Sequence, residues 1–143
     1  MKELDFLNIL VVEDDENSLL YLLFALEARN CNVYKAGNGL EALKLVKESQ
    51  IQFDLVLMDL KLPIMDGFTA TEEIKKIQPN IPVIAQTAIY LYTESEKLID
   101  SKIDAVLMKP YSISALIDAI QSVIKLKKDS PIEANQNSLL LLQ

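Results

Sequence analysis

The chain has 143 residues, half of them hydrophobic, with 14 Lys and Arg against 21 Asp and Glu, no His, a single Cys and a formal net charge of −7. That length can bury the core of one domain, and the acidic balance argues against nucleic acid as a direct partner, since affinity for a phosphate backbone comes from clustered Lys and Arg. Cys31 has no cysteine partner, no Cys/His spacing suits zinc, apolar runs fall short of the roughly 18 residues that span a bilayer, and Met1-Lys2-Glu3-Leu4-Asp5 is unlike an export signal, so a soluble protein of the reducing cytoplasm is expected.

Residues 8–12, apolar after Asn8, read as a strand buried on both faces. Asn17 or its neighbour can cap a helix with Leu19, Leu22, Leu23 and Leu26 at helical spacing, ending near Arg29. Residues 32–36 read as a second strand, Gly37-Asn38-Gly39 as a turn, and about Leu40 to Glu48 as a helix. The third strand is 53–58, followed by a Pro- and Gly-containing loop, Lys61 to Gly67, and a helix from about Phe68 to Ile77 that Pro79 stops. Residues 82–86 make strand four, roughly 93–101 a polar helix, 104–108 strand five, and 112–126 a last helix with Ile113, Leu116, Ile117, Ile120 and Ile124 inward. From Lys127 to Gln143 the periodicity breaks, and this stretch reads as a poorly ordered tail or linker behind a domain of residues 1–126.

Strands alternating with helices imply right-handed crossovers and an α/β fold: three layers, α/β/α, around a five-stranded parallel sheet in the flavodoxin-like order 2-1-3-4-5. Such a sheet delivers the carboxyl ends of its strands to one edge, where ligands bind. Four strand runs end there in reactive side chains: Glu13-Asp14-Asp15, Asp59, Thr87 and Lys109-Pro110. Carboxylates massed this way repel one another unless a hard cation joins them, and Mg2+ takes oxygen ligands from one or two carboxylates together with phosphate oxygens. Asp59, closing an otherwise apolar strand, is the expected nucleophile, able to become an acyl phosphate. Glu13 and Asp14, with Asp59 and the backbone carbonyl of Lys61, are the expected metal ligands, leaving Asp15 to start the loop and favour the next helix. Lys109, aimed across the edge by a cis bond to Pro110, and the Thr87 hydroxyl would meet the phosphoryl oxygens. Taken singly, Lys109 is a surface lysine beside a turn proline and Thr87 an ordinary strand residue; the ordered set carries the reading.

Those segments, Ile9 to Glu16, Val56 to Gly67, Val83 to Ala88 and Lys109-Pro110, resemble the receiver domain of two-component response regulators, in the family's order, over about residues 7–126. Ile81 to Ala88 looks most like receivers of hybrid sensor histidine kinases. The resemblance implies Asp59 as phosphoacceptor, Glu13 and Asp14 as the magnesium-binding pair, Thr87 as switch hydroxyl and Lys109 as the phosphate-contacting lysine. It implies a phosphorelay signalling domain that takes phosphate from a histidine kinase or histidine phosphotransfer protein, is not itself an enzyme beyond assisting its own phosphoryl transfer and slow dephosphorylation, and acts on an unknown downstream protein. The responsive surface, and a possible homodimer, would use the fourth helix, fifth strand and fifth helix, roughly residues 90–125. Neither nucleic acid nor membrane is an expected direct partner.

Two departures stand out. Val106 lies where the family often has an aromatic residue three positions before the lysine, with Tyr111 and Tyr90 as substitutes, and Lys102 lies where a Gly commonly precedes strand five. Lys61 and Ile89, two residues beyond acceptor and switch hydroxyl, border the path of an attacking water; Ile89 cannot orient water, so a long-lived acyl phosphate is expected. Two competing readings are a haloacid-dehalogenase-like phosphatase, which would carry its nucleophile on the first strand with an acid two residues later, and a receiver-like interaction module that is never phosphorylated.

Overall fold

The computed structural model describes residues 4–88, 95–129 and 140–142. In chain order the elements are β1 (Asn8–Val12), α1 (Glu16–Glu27), β2 (Asn32–Ala36), α2 (Gly39–Glu48), β3 (Leu55–Asp59), α3 (Gly67–Ile77), β4 (Val83–Thr87), α4 (Ser95–Asp100), β5 (Ala105–Met108), α5 (Ile113–Asp129) and β6 (Leu140–Leu142). All pairings are parallel, in the order β2-β1-β3-β4-β5-β6. The first five strands keep the expected order. The sixth was not expected: Leu140–Leu142, read from sequence as part of a tail, lies along the outer edge of β5 with Ala105 opposite Leu140. α5 also runs three residues past 126, to Asp129. An edge strand offers unpaired main-chain groups, so even a three-residue apolar segment gains partners there.

Because β1, β3, β4 and β5 are covered on both faces, their apolar residues divide by alternation. Ile9, Val11, Leu55, Leu57, Ile84, Ala105 and Leu107 pack with Leu22 and Leu26 of α1 and Leu116 and Ile120 of α5. Leu10, Val12, Val56, Met58, Val83, Ala85 and Val106 pack with Ala42 and Val46 of α2, Ala70 and Ile74 of α3 and Leu98 of α4. Away from the carboxyl edge, Lys75 of α3 donates at 2.7 Å to Asp104, which also accepts the Val83 N–H at 2.8 Å, clipping α3 to the entry of β4 and β5. Cys31 is buried, and burial pushes its thiol up to about 11, which leaves it unreactive.

Local caps refine the sequence reading. The cap of α1 is Asp15, whose carboxylate accepts the Ser18 N–H at 2.8 Å, and not Asn17. Asn38 and Asp66 cap α2 and α3 in the same way, accepting the Glu41 and Thr69 N–H groups at 2.9 Å. Lys102 needs no left-handed backbone, since the positive-φ residues among those described are Phe6, Asn30 and Ile64.

Candidate functional site

β1, β3, β4 and β5 each contribute to the carboxyl edge through the last residue or the one just after it. Glu13 leaves β1 with its N–H on the Ala36 carbonyl of β2 at 3.0 Å. The residue is 2% exposed; Oε1 accepts from Lys109 Nζ at 2.9 Å and Oε2 from the Asp15 N–H at 3.1 Å. Asp59 closes β3 at 7% exposure, its Oδ2 accepting from Lys109 Nζ at 3.2 Å and its Oδ1 from the Lys61 N–H at 3.2 Å. Lys109 stands after β5, joined to Pro110 by a cis peptide bond, its N–H on the Thr87 carbonyl at 2.8 Å. One ammonium therefore serves two carboxylates from two other strands.

Glu13, Asp14 and Asp59 can each offer a carboxylate oxygen within 4.8 Å of the others, with Asp14 exposed to solvent. Oxygens on one octahedral magnesium stand about 3 to 4 Å apart, so this set fits a hard cation from an open side. The electrostatics show the strain that such an ion would relieve. Burial foremost raises the Glu13 carboxyl above its ordinary value, the Asp59 charge adds to this, and the Lys109 hydrogen bond works against it. Burial alone would lower the Lys109 ammonium, but its hydrogen bond to Glu13 and the charges of Asp59 and Glu13 outweigh that and raise it. Asp15, on the surface, is lowered by its capping bonds to Ser18.

Thr87, at the end of β4, is 3% exposed, and strand register places Gln86 opposite Asp59. Lys61 reaches Asp59 through its N–H. Ile89 and Tyr90 lie outside the described residues. Sequence reading missed the pairing of Tyr111 with Gln86: the Tyr111 hydroxyl donates to Gln86 Oε1 at 2.5 Å. The signal was available, because a Gln inside a strand buried on both faces must find a partner. Burial above all, then the charges of Glu13, Tyr21 and Asp59, pushes the Tyr111 phenol well above the ordinary tyrosine value.

The loop that follows Asp59 is held tightly. Gly67, first residue of α3, bonds its N–H to the Leu60 carbonyl at 3.0 Å, and Gly39 of α2 bonds to Met65 at 3.1 Å. Between them the Met65 N–H closes a three-residue turn on Pro63 at 2.7 Å, with Ile64 at φ 70° and 78% exposed. A β-branched residue in this rare positive-φ γ-turn is strained. Ile64→Gly is expected to stabilise the protein by about 1 kcal/mol, strain relief exceeding the glycine entropy cost; an unchanged urea midpoint would contradict that strain.

Residues 9–121 match the family model for the response regulator receiver domain. The chain belongs to that family. This receiver domain is 33% identical over 119 residues to the polar-differentiation response regulator DivK of Brucella anthropi, covering 82% of this chain and 95% of DivK. It is 34% identical over 104 residues to transcription factor SKN7 of Chaetomium thermophilum, covering 73% of this chain but only 14% of that relative's length. Among solved structures it is similar to the receiver domain of the sensor histidine kinase PA1611 from Pseudomonas aeruginosa PAO1, which holds a magnesium ion in its active-site cleft: TM-score 0.77, 28% identity, 84% of this chain and 98% of the other covered. No helix among the described residues is long and apolar enough to cross a membrane.

Proposed function

We propose that this receiver domain accepts a phosphoryl group on Asp59 from a histidine kinase or histidine phosphotransfer protein in the cytoplasm, and that the acyl phosphate changes a protein-binding surface. The observation that carries this is the placement of Asp59: one carboxylate oxygen on the Lys61 N–H, the other on Lys109, with Glu13 and Asp14 close enough to share a cation. Magnesium held by Glu13, Asp14, Asp59 and the Lys61 carbonyl would neutralise charge on the incoming phosphoryl group. An Asp59 oxygen attacks phosphorus while the bond to the donor's imidazole nitrogen breaks, and that nitrogen keeps the electron pair and takes up a proton. Lys109 then turns from its two carboxylates to a phosphoryl oxygen, and the Thr87 hydroxyl donates to another. The domain assists this transfer and a slow hydrolysis but turns over no separate substrate.

Intact mass after incubation with acetyl phosphate and Mg2+ tests the assignment. Wild type should gain one phosphate and Asp59→Asn none; gain in both, or in neither, would defeat it. Thr87→Ala should still take up phosphate yet lose the partner response, and a wild-type response in that variant would refute the switch role. The downstream surface is read as α4, β5 and α5; since β6 pairs with the outer edge of β5, a homodimer through that face must include or displace this strand.

A further inference from the structure

Gln86 sits inside a parallel strand where an apolar side chain would be expected, 1% exposed and in register with Asp59 on β3. Alternation puts both on the α1/α5 face, with Leu57 and Ile84. One end of its amide is used, by the 2.5 Å bond from Tyr111; Nε2 at the other end is buried with no partner among the described residues. An unmet buried donor costs about 1–3 kcal/mol, and a leucine here paired with a phenylalanine at 111 would fill the same space with no polar group left to satisfy, so stability does not account for the pair. Tyr111 follows Lys109 with only Pro110 between them. Its carbonyl receives a long 3.4 Å hydrogen bond from the Tyr21 hydroxyl on α1, beside the exposed Leu20 and Phe24. A polar chain thus runs from the register neighbour of the nucleophile, through the loop that carries the lysine, to a helix surface.

We propose that the Gln86–Tyr111 pair is a two-position clamp that positions Lys109 and carries the state of Asp59 to Tyr21 on α1. The inference rests on the phosphorylation of Asp59 proposed above. In the position seen here the phenol donates to Oε1. In the other the amide turns over, Nε2 donates, and the phenol, which can do either, accepts and gives its own proton to another acceptor. Phosphorylation supplies the bias. It adds about one further negative charge and three strong acceptor oxygens beside Gln86, and it draws Lys109 from the carboxylates it holds at 2.9 and 3.2 Å. The loop through Pro110 moves with Lys109 and takes Tyr111 along, so phosphate interacts differently with the two positions, as any coupling requires.

The test uses the full chain with 3-fluorotyrosine in place of its five tyrosines. Fluorine NMR is recorded before and after acetyl phosphate with Mg2+, phosphate load is read by intact mass, and the Tyr21→Phe and Tyr111→Phe spectra supply assignments. In wild type both the Tyr21 and Tyr111 resonances should move on phosphorylation. Gln86→Leu should take up phosphate about 10-fold more slowly, as a misplaced lysine would cause, and its Tyr21 resonance should stay still. Gln86→Leu/Tyr111→Phe, apolar at both ends, should unfold at or above the wild-type temperature while Tyr21 remains still, which separates positioning from folding. Stationary resonances in phosphorylated wild type, or a moving Tyr21 in the double variant, overturn the clamp. Wild type that takes up no phosphate overturns the Asp59 reading first, and the clamp with it.

Discussion

Gly67→Ala is expected to cost about 3 kcal/mol of stability and to slow phosphate uptake roughly 100-fold, although the substitution adds only one methyl group. A Cβ at Gly67 would stand 2.2 Å from the Asp59 carbonyl oxygen and 2.8 Å from Leu60 Cα. Both obstacles are backbone, and the Gly67 N–H is bonded to the Leu60 carbonyl at 3.0 Å, so neither side yields without moving the end of β3 or the start of α3. That end of β3 is the nucleophile itself. Functional groups tolerate only about 0.5 Å of displacement, and Asp59 has to meet Lys61, Lys109 and the acids that follow β1 at once. Gly37→Ala is the control, since its Cβ would meet nothing closer than Glu41 Oε2 at 3.7 Å. Urea unfolding and a mass-spectrometric time course with acetyl phosphate measure both effects. A Gly67→Ala protein as fast and as stable as Gly37→Ala would mean that the approach of α3 to β3 does not hold the acceptor in place.

Such contacts explain what could be read from the sequence and what could not. Strands buried on both faces are mostly apolar, so a strand that ends in Asp59, or is followed at once by Glu13, stands out by contrast, and alternation with helices supplies the order that brings those ends together. Boundaries shifted where polar side chains act outside their own element. Phe53 and Asp54 were read into β3, but the Asp54 carboxylate instead accepts the Asn8 N–H at 2.8 Å, just ahead of the strand. Gly39 and Gly67 read as turn residues; their role is close approach between segments, which no local pattern encodes. The Lys75–Asp104 and Gln86–Tyr111 pairs join residues 29 and 25 positions apart and follow from how α3, β4 and the segments on either side of β5 are placed, not from spacing. Leu140–Leu142 was too short to register as an element until the edge of β5 was there to receive it.

Lys109→Ala should destabilise the domain by about 3 kcal/mol at pH 7.5 without Mg2+, the lower end of the cost of breaking a buried ion pair, because the lysine side chain is 23% exposed. Its partners are Glu13 and Asp59, with side chains 0% and 10% exposed, and both would be left with no cation. The pH dependence follows from the directions of the shifts. The Lys109 ammonium is raised, so its contribution in wild type is fully present below the ordinary lysine value and is lost only as pH rises through the folded value, far above neutral. Glu13 is raised as well, by burial first, with the Lys109 hydrogen bond pulling down; removing the lysine removes that pull, and the carboxyl rises further. A folded state that holds its proton more tightly than the unfolded chain gains stability as pH falls. The deficit of Lys109→Ala should therefore be smaller at pH 5.5 than at pH 7.5, because a raised Glu13 carboxyl takes up its proton more readily than an ordinary one as pH falls, which removes one of the uncompensated charges. Millimolar Mg2+ at pH 7.5 should shrink it too, by supplying the missing positive charge between Glu13, Asp14 and Asp59. Lys109→Met, which restores the aliphatic stem but not the charge, should behave like Lys109→Ala in both respects. Urea denaturation at the two pH values, each with EDTA and with Mg2+, gives the four differences. A deficit independent of pH and cation would show that the lysine matters for packing, and that the three acids do not share one field.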